Sequence, residues 1–234
     1  MKRLTILAIM AVCMIQTAFS MIPGPPIILE CPECGVGKEL MSIVSGNTFG
    51  ASQWSDLYME APMLPQLSPV QKCYECGSYF FISQAKSQYD NEKGISDTSD
   101  TGRLSFPEMK EALCLLEKDS LSKEDEMAIR FEFLHRYNDL FRFEQRELGQ
   151  SIHSRSEEDQ KLHKENLKGI IALLDPSNDD DLILIAELYR ESGDFDKAIS
   201  ILNNYRPSNE RQETFLRKLI EKVREKDEKV FLIN

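Results

Sequence analysis

The rhythm of apolar residues changes once along this chain. Up to about residue 82 they come in short β-type runs, Ile27-Ile28-Leu29 and Tyr79-Phe80-Phe81-Ile82, among Gly- and Pro-rich stretches. From about Leu104 they recur every three or four residues, the spacing of one helix face. Residues 87 to 103 are polar, carry Gly94 and Gly102, and predict a linker or loose loop. Pro23, Gly24, Pro25 and Pro26 predict a stiff, extended entry to the first part.

Capping residues mark the helices. Ser105 and Glu108 form a capping box ahead of Met109, Ala112, Leu113 and Leu116, a face that also buries Cys114 as a small hydrophobe. Ser122 and Asp125 open a longer helix, about residues 122–148, with the apolar face Met127, Phe131, Leu134, Tyr137, Phe141. Ser156 and Asp159 open the next, which Asp175-Pro176 stops after about Leu174. Asp179-Asp180-Asp181 oppose the macrodipole at a helix start. Two more helices and a terminal one, with Phe215, Leu216, Leu219, Ile220 and Val223, bring the total to about six. Glu225 and Lys229 offer an i, i+4 pair on a solvated face near the end.

Within this part Leu182, Ile185, Ala186, Tyr189, Gly193, Phe195, Ala198 and Leu202 resemble one tetratricopeptide repeat, over Asp179 to Pro207. Small Ala186 and Ala198 let two helices approach, Gly193 closes the turn, Asp194 caps the second helix, and Tyr189 and Phe195 fill the wedge. One hairpin cannot bury its own apolar surface, so neighbouring helices must stack on it. The resemblance implies a surface that docks a protein or peptide; a plain helical bundle is the alternative.

Met1 to Ser20 has the pattern of a signal peptide: Lys2 and Arg3, an apolar run Leu4 to Phe19, and Ala18-Phe19-Ser20 at the cleavage positions. Export to the periplasm or medium is expected. Retention as an anchor, or a cytosolic protein starting at Met21, stay open. Cys13 lies inside the apolar run, where it does not fit a lipid-modified cysteine, and no second run long enough to span a membrane follows. The net charge of −11 argues against a nucleic-acid partner, whose phosphates an acidic surface repels.

Beyond the leader, four of the cysteines fall into two matching frames, Cys31-Pro32-Glu33-Cys34-Gly35 and Cys73-Tyr74-Glu75-Cys76-Gly77. Two intervening residues let one tight turn aim both sulfurs at a single ion, and the following Gly permits the positive φ that turns backbone N–H groups toward the thiolates. Cys31, Cys34, Cys73 and Cys76 are thus candidate ligands of one structural Zn2+. The spacing also allows small disulfide rings, which an oxidising compartment favours, or a redox-active dithiol. The frames resemble the knuckles of zinc ribbons and rubredoxin-like modules. They depart in the 38 residues between Cys34 and Cys73, against about 15–20 in the usual pattern.

That long spacer holds Ser45-Gly46-Asn47-Thr48-Phe49-Gly50-Ala51, Trp54-Ser55-Asp56 and Pro62-Met63-Leu64-Pro65. It resembles a bacterial family in which SGNTFGA, WSD and PMLP lie between two CPxCG knuckles, over roughly residues 29 to 82. The resemblance implies the four-cysteine module and carries no activity with it. Tyr74 stands where Pro is typical. Asn47, Thr48, Trp54, Ser55 and Asp56 are candidates for a polar pocket with a stacking wall; turn chemistry around a core Trp is the plainer reading. His135, His153 and His163 lack a metal-type i, i+4 partner and read as surface or boundary residues.

The expectation is an α+β protein: leader 1–20, zinc-ribbon-like four-cysteine β module 21–86, linker 87–103, and an all-α, tetratricopeptide-like array of helical hairpins 104–234. It reads as a metal-stabilised interaction protein more than an enzyme. An enzyme using the Asn47–Asp56 pocket and a thiol-disulfide oxidoreductase are the alternatives.

Overall fold

The computed structural model describes residues 21–92, 99–118, 121–146 and 155–233, with side chains undescribed at 143–146. The leader with Cys13, the middle of the 87–103 stretch, and His153 lie outside the described residues. The chain forms two compact units, each treated by itself: one of residues up to Ala51 with Glu60–Arg103, the other of Ser52–Met59 with Leu104–Asn234. The architecture is mixed, with small antiparallel strands towards the N-terminus and six helices towards the C-terminus.

The first unit is built on two hairpins whose tips are the knuckles. Strand β1 (Ile22–Pro23) pairs antiparallel with β4 (Ile43–Ser45). Strand β2 (Ile27–Glu30) runs into the first knuckle, and β3 (Gly37–Leu40) returns with Ile27 opposite Leu40 and Glu30 opposite Gly37. Strand β7 (Val70–Lys72) enters the second knuckle and β8 (Tyr79–Phe81) returns, with Val70 opposite Phe81. Leu29, Leu40 and Phe80 pack with Cys31 and Cys73 in one small core. Part of the polar stretch after the second knuckle is a strand: β9 (Lys86–Tyr89) pairs with the other edge of β2, and its residues are exposed. Further along, the Asp100 and Thr101 carbonyls accept from the amides of Met41 and Ser68. Gly46 is obligatory, because a Cβ there would collide with the Met63 carbonyl oxygen.

The second unit opens with β5 (Ser52–Gln53), which forms a short ribbon with β6 (Met59–Glu60), of which Met59 belongs to this unit. The helices are α1 (Phe106–Ala112), α2 (Lys123–Arg146), α3 (Glu157–Leu173), α4 (Asp179–Glu191), α5 (Phe195–Asn204) and α6 (Glu210–Glu225). The capping box at Ser105 and Glu108 is complete, and Ser122, Ser156 and Asn178 accept from amides of the first turns they precede. Helix α4 is central: Ile183 and Ala186 pack with α5 and α6 residues, while Leu184 and Leu188 pack with Leu134, Leu167 and Ile170. It ends in a Schellman turn, with Gly193 at φ +83°, its N–H donating to Arg190 O at 3.0 Å and Asp194 N–H to Tyr189 O at 2.8 Å.

Three details differ from the sequence reading. Leu113–Glu117 is a 3-10 turn, whose tighter winding turns Leu115 inward and leaves Cys114 exposed rather than buried. Helix α2 buries Ile129, Phe133 and Leu140 besides Leu134 and Tyr137, because elements cover it on more than one side. Helix α6 stops at Glu225 with Lys226 left-handed, so Glu225 and Lys229 do not share a face; Lys222 pairs with Glu225 at 2.9 Å and Asp227 at 3.2 Å instead. No helix among the described residues is long and apolar enough to cross a membrane.

Candidate metal centre

The two knuckles have the same backbone. Gly35 N–H donates to Cys31 O at 2.9 Å and Gly77 N–H to Cys73 O at 2.8 Å, with φ +74° and +76°. Each turn is closed by a strand-type bond, Cys31 N–H to Val36 O and Cys73 N–H to Ser78 O, both 2.9 Å. Only glycine adopts this φ at no steric cost, which explains its place after each second cysteine. The outcome is convergence of Cys31, Cys34, Cys73 and Cys76, whose sulfurs all lie within 4.8 Å of one another.

The close approaches run between knuckles, Cys31 to Cys76 at 3.8 Å and Cys34 to Cys73 at 3.6 Å. A tetrahedron with Zn–S arms of about 2.3 Å has sulfur–sulfur edges of roughly 3.8 Å. All four side chains are free thiols in this structure, and the donor set fits one thiophilic divalent cation. Cys31 and Cys73 are buried against the small core, while Cys34 and Cys76 are exposed.

The surrounding groups are arranged for anionic sulfur. Burial pushes the Cys31 thiol up, but the Ser78 hydroxyl and the Cys34 and Glu33 amides outweigh it and bring it to about 6. The Ser78 hydroxyl and amide lower Cys76. At Cys34 the Val36 amide lowers the thiol, yet desolvation and the three facing sulfurs push it up to about 12. Four sulfurs this close cannot all ionise without a cation to take their charge.

The spacer residues fall into two sets. In the first unit Asn47 Oδ1 accepts from Phe49 N–H at 2.9 Å and Thr48 O from Ala51 N–H at 3.0 Å, a turn that ends in Gly50 at φ +71°. Trp54, Ser55 and Asp56 belong to the second unit and are buried there. Ser55 Oγ accepts from Phe231 N–H at 3.2 Å. Asp56 pairs with Arg142 and accepts from Asn138 Nδ2 at 3.0 Å. Burial pushes the Asp56 carboxyl up; Arg142, His135 and Asn138 more than reverse this and hold it below the usual carboxylate range.

Of the histidines, His135 is a boundary residue as expected, whereas His163 is neither surface nor boundary. His163 is only 4% exposed, and its ring lies flat on Tyr137 with centroids 3.8 Å apart. His135 is half-buried, with Nε2 3.2 Å from Asp56 O. Their burial carries no local sequence mark. The nearest hint is the number of polar residues inside helical periods, and these read equally well as solvated faces.

Fold and site together define a class: a protein with a four-cysteine metal-type knuckle pair and a separate helical unit. No protein-family model matches the chain, and comparison with curated proteins and with solved structures finds no match.

Proposed function

We propose that this chain is a zinc-stabilised interaction protein of the cell envelope, in which Zn2+ on Cys31, Cys34, Cys73 and Cys76 holds the first unit and a tetratricopeptide-like helical unit docks a protein or peptide. The observation that carries it is the convergence of four sulfurs from knuckles far apart in sequence. Four thiolates complete a tetrahedral shell and leave no open position, which favours a structural metal over a catalytic one. A β unit with so small a core gains its stability from such an ion. The docking half is supported by the tight α4–α5 hairpin, with Ala186 and Ala198 fully buried and Tyr189 and Phe195 packed on its core. Export rests on the leader pattern of Met1 to Ser20.

Elemental analysis of purified chain is expected to give about one zinc per molecule, lost with chelator together with the amide dispersion of residues 27 to 82. Absence of metal with alkylation-resistant cysteines would replace zinc with disulfides, and catalysis of insulin reduction would point to an oxidoreductase. For docking, a displayed peptide library is expected to yield a recurrent motif binding at about 100 µM or tighter. A library without one would sink that half.

A further inference from the structure

Laid one over the other, the two knuckles differ at two places, Pro32 against Tyr74 and Val36 against Ser78. The second difference reaches the sulfurs. In each knuckle the last cysteine accepts from the amide two residues on, Cys34 from Val36 and Cys76 from Ser78. Ser78 adds a hydroxyl, 3.0 Å from Cys76 Sγ and 3.4 Å from Cys31 Sγ. Val36 has no hydroxyl to give, and it is 45% exposed. One oxygen thus breaks the pseudo-symmetry of the cluster.

That oxygen ranks the four sulfurs. Bound to a divalent cation, every cysteine is already a thiolate, so the ionised fraction does not separate them. Exposure and electron density do. Cys31 and Cys73 are buried, which leaves Cys34 and Cys76 open to a reagent from solvent. A hydrogen bond donated to a thiolate draws charge from the sulfur and lowers its nucleophilicity. Cys76 carries the Ser78 hydroxyl, so Cys34 is the sulfur both open and free of that bond. It faces Cys73 Sγ at 3.6 Å, whereas Cys31, the other buried sulfur, is the one Ser78 engages.

We propose that Cys34 is a site of oxidation by hydroperoxides, with Cys73 as its resolving partner, so that the first unit exchanges its metal cross-link for a Cys34–Cys73 disulfide. This rests on the zinc reading above. In the first step the Cys34 thiolate attacks one peroxide oxygen: an S–O bond forms, the O–O bond breaks, and hydroxide leaves. In the second the Cys73 thiolate attacks the Cys34 sulfenic acid: the S–S bond forms, the S–O bond breaks, and a second hydroxide leaves. The two sulfurs give up two electrons, which reduce one hydroperoxide. Two of the four donors are then gone, and the ion is released.

The test uses the zinc-loaded full chain carrying Cys114→Ser, which removes an exposed thiol outside the cluster. It is treated with hydrogen peroxide while dimedone traps sulfenic acid, and each cysteine is read by peptide mass spectrometry. Zinc release is followed with a chromogenic chelator. Dimedone is expected on Cys34 about fivefold faster than on Cys76. Without dimedone, a Cys34–Cys73 disulfide is expected to form at the rate of zinc release. Val36→Ser is expected to slow Cys34 labelling about fivefold, and Ser78→Val to bring Cys76 up to the rate of Cys34. If Ser78→Val fails to fold, Val36→Ser, at an exposed position, decides alone. The proposal is overturned if Cys76 is labelled as fast as Cys34 in the parent, if Val36→Ser leaves the Cys34 rate unchanged, or if the first disulfide joins another pair. A chain that binds no zinc overturns the zinc reading and this one together; a zinc-bound chain that fails these comparisons overturns this one alone.

Discussion

Asp56 has no exposed surface, and its carboxylate meets the guanidinium of Arg142, itself 2% exposed. Asn138 bridges from Asp56 to Glu191 with one amide, so three polar side chains form a line through the helical unit. Two carboxyls in that line are driven apart: Arg142, His135 and Asn138 hold Asp56 below the usual carboxylate range against the pull of burial, while burial, then Glu187 and Asp56, pushes Glu191 well above it. His163 lies at the far end of this line, and it gives the residue scale its measurable signature. Its ordinary value of 6.5 falls to about 3 on folding. Between those values the unfolded chain binds a proton that the folded chain refuses, so stability falls as pH falls through that window. Denaturant unfolding from pH 7 to 4 is expected to show this as an extra slope of up to about 1.4 kcal/mol per pH unit over His163→Gln. His135, also lowered, is present in both proteins and cancels in the difference. Equal slopes would mean that His163 stays solvated.

Among the elements, the α4–α5 turn gives the cleanest test. Gly193 sits at φ +83°, and a Cβ there would meet Glu228 Oε1 at 2.7 Å. Gly193→Ala is expected to cost about 1–2 kcal/mol in unfolding free energy, mostly from the left-handed backbone, because Glu228 is exposed and can move aside. A loss within error would show that the turn relaxes. This turn, the caps at Ser105, Ser122 and Ser156, and the stop at Asp175-Pro176 were readable from sequence, because each is decided by residues within one helical turn. The knuckles were readable for the same reason. The face of Leu113–Glu117 and the several buried faces of α2 were not, since they depend on which neighbours pack on them. The burial of His163 was equally hidden: a buried imidazole and a solvated one share the same letters around them. Asp194 stands at the N-cap position as expected, but its side chain makes no capping hydrogen bond there and its carboxylate pairs with Lys197 at 2.6 Å instead, which only coordinates reveal.

At the scale of the molecule, the second unit is discontinuous. Trp54, Ser55 and Asp56 reach it from between the two knuckles, and the final residues close over it: Ser55 N–H donates to Phe231 O at 2.9 Å, Ile233 N–H to Gln53 O at 2.8 Å, and Arg190 to the Asp227 and Lys229 carbonyls. A fragment of residues 104–234 lacks Asp56 and strands Arg142 in the interior. It is expected to unfold with at least about 3 kcal/mol less stability than the helical unit of the whole chain, as judged by circular dichroism in denaturant. A fragment as stable as the whole would show that 52–59 is an ornament. This arrangement also sets an order of events during synthesis. Ser55 leaves the ribosome 176 residues ahead of Phe231. A nascent chain must therefore hold its Trp54 segment without that partner until residue 231 has emerged, and a stop before that point deprives the segment of its mate.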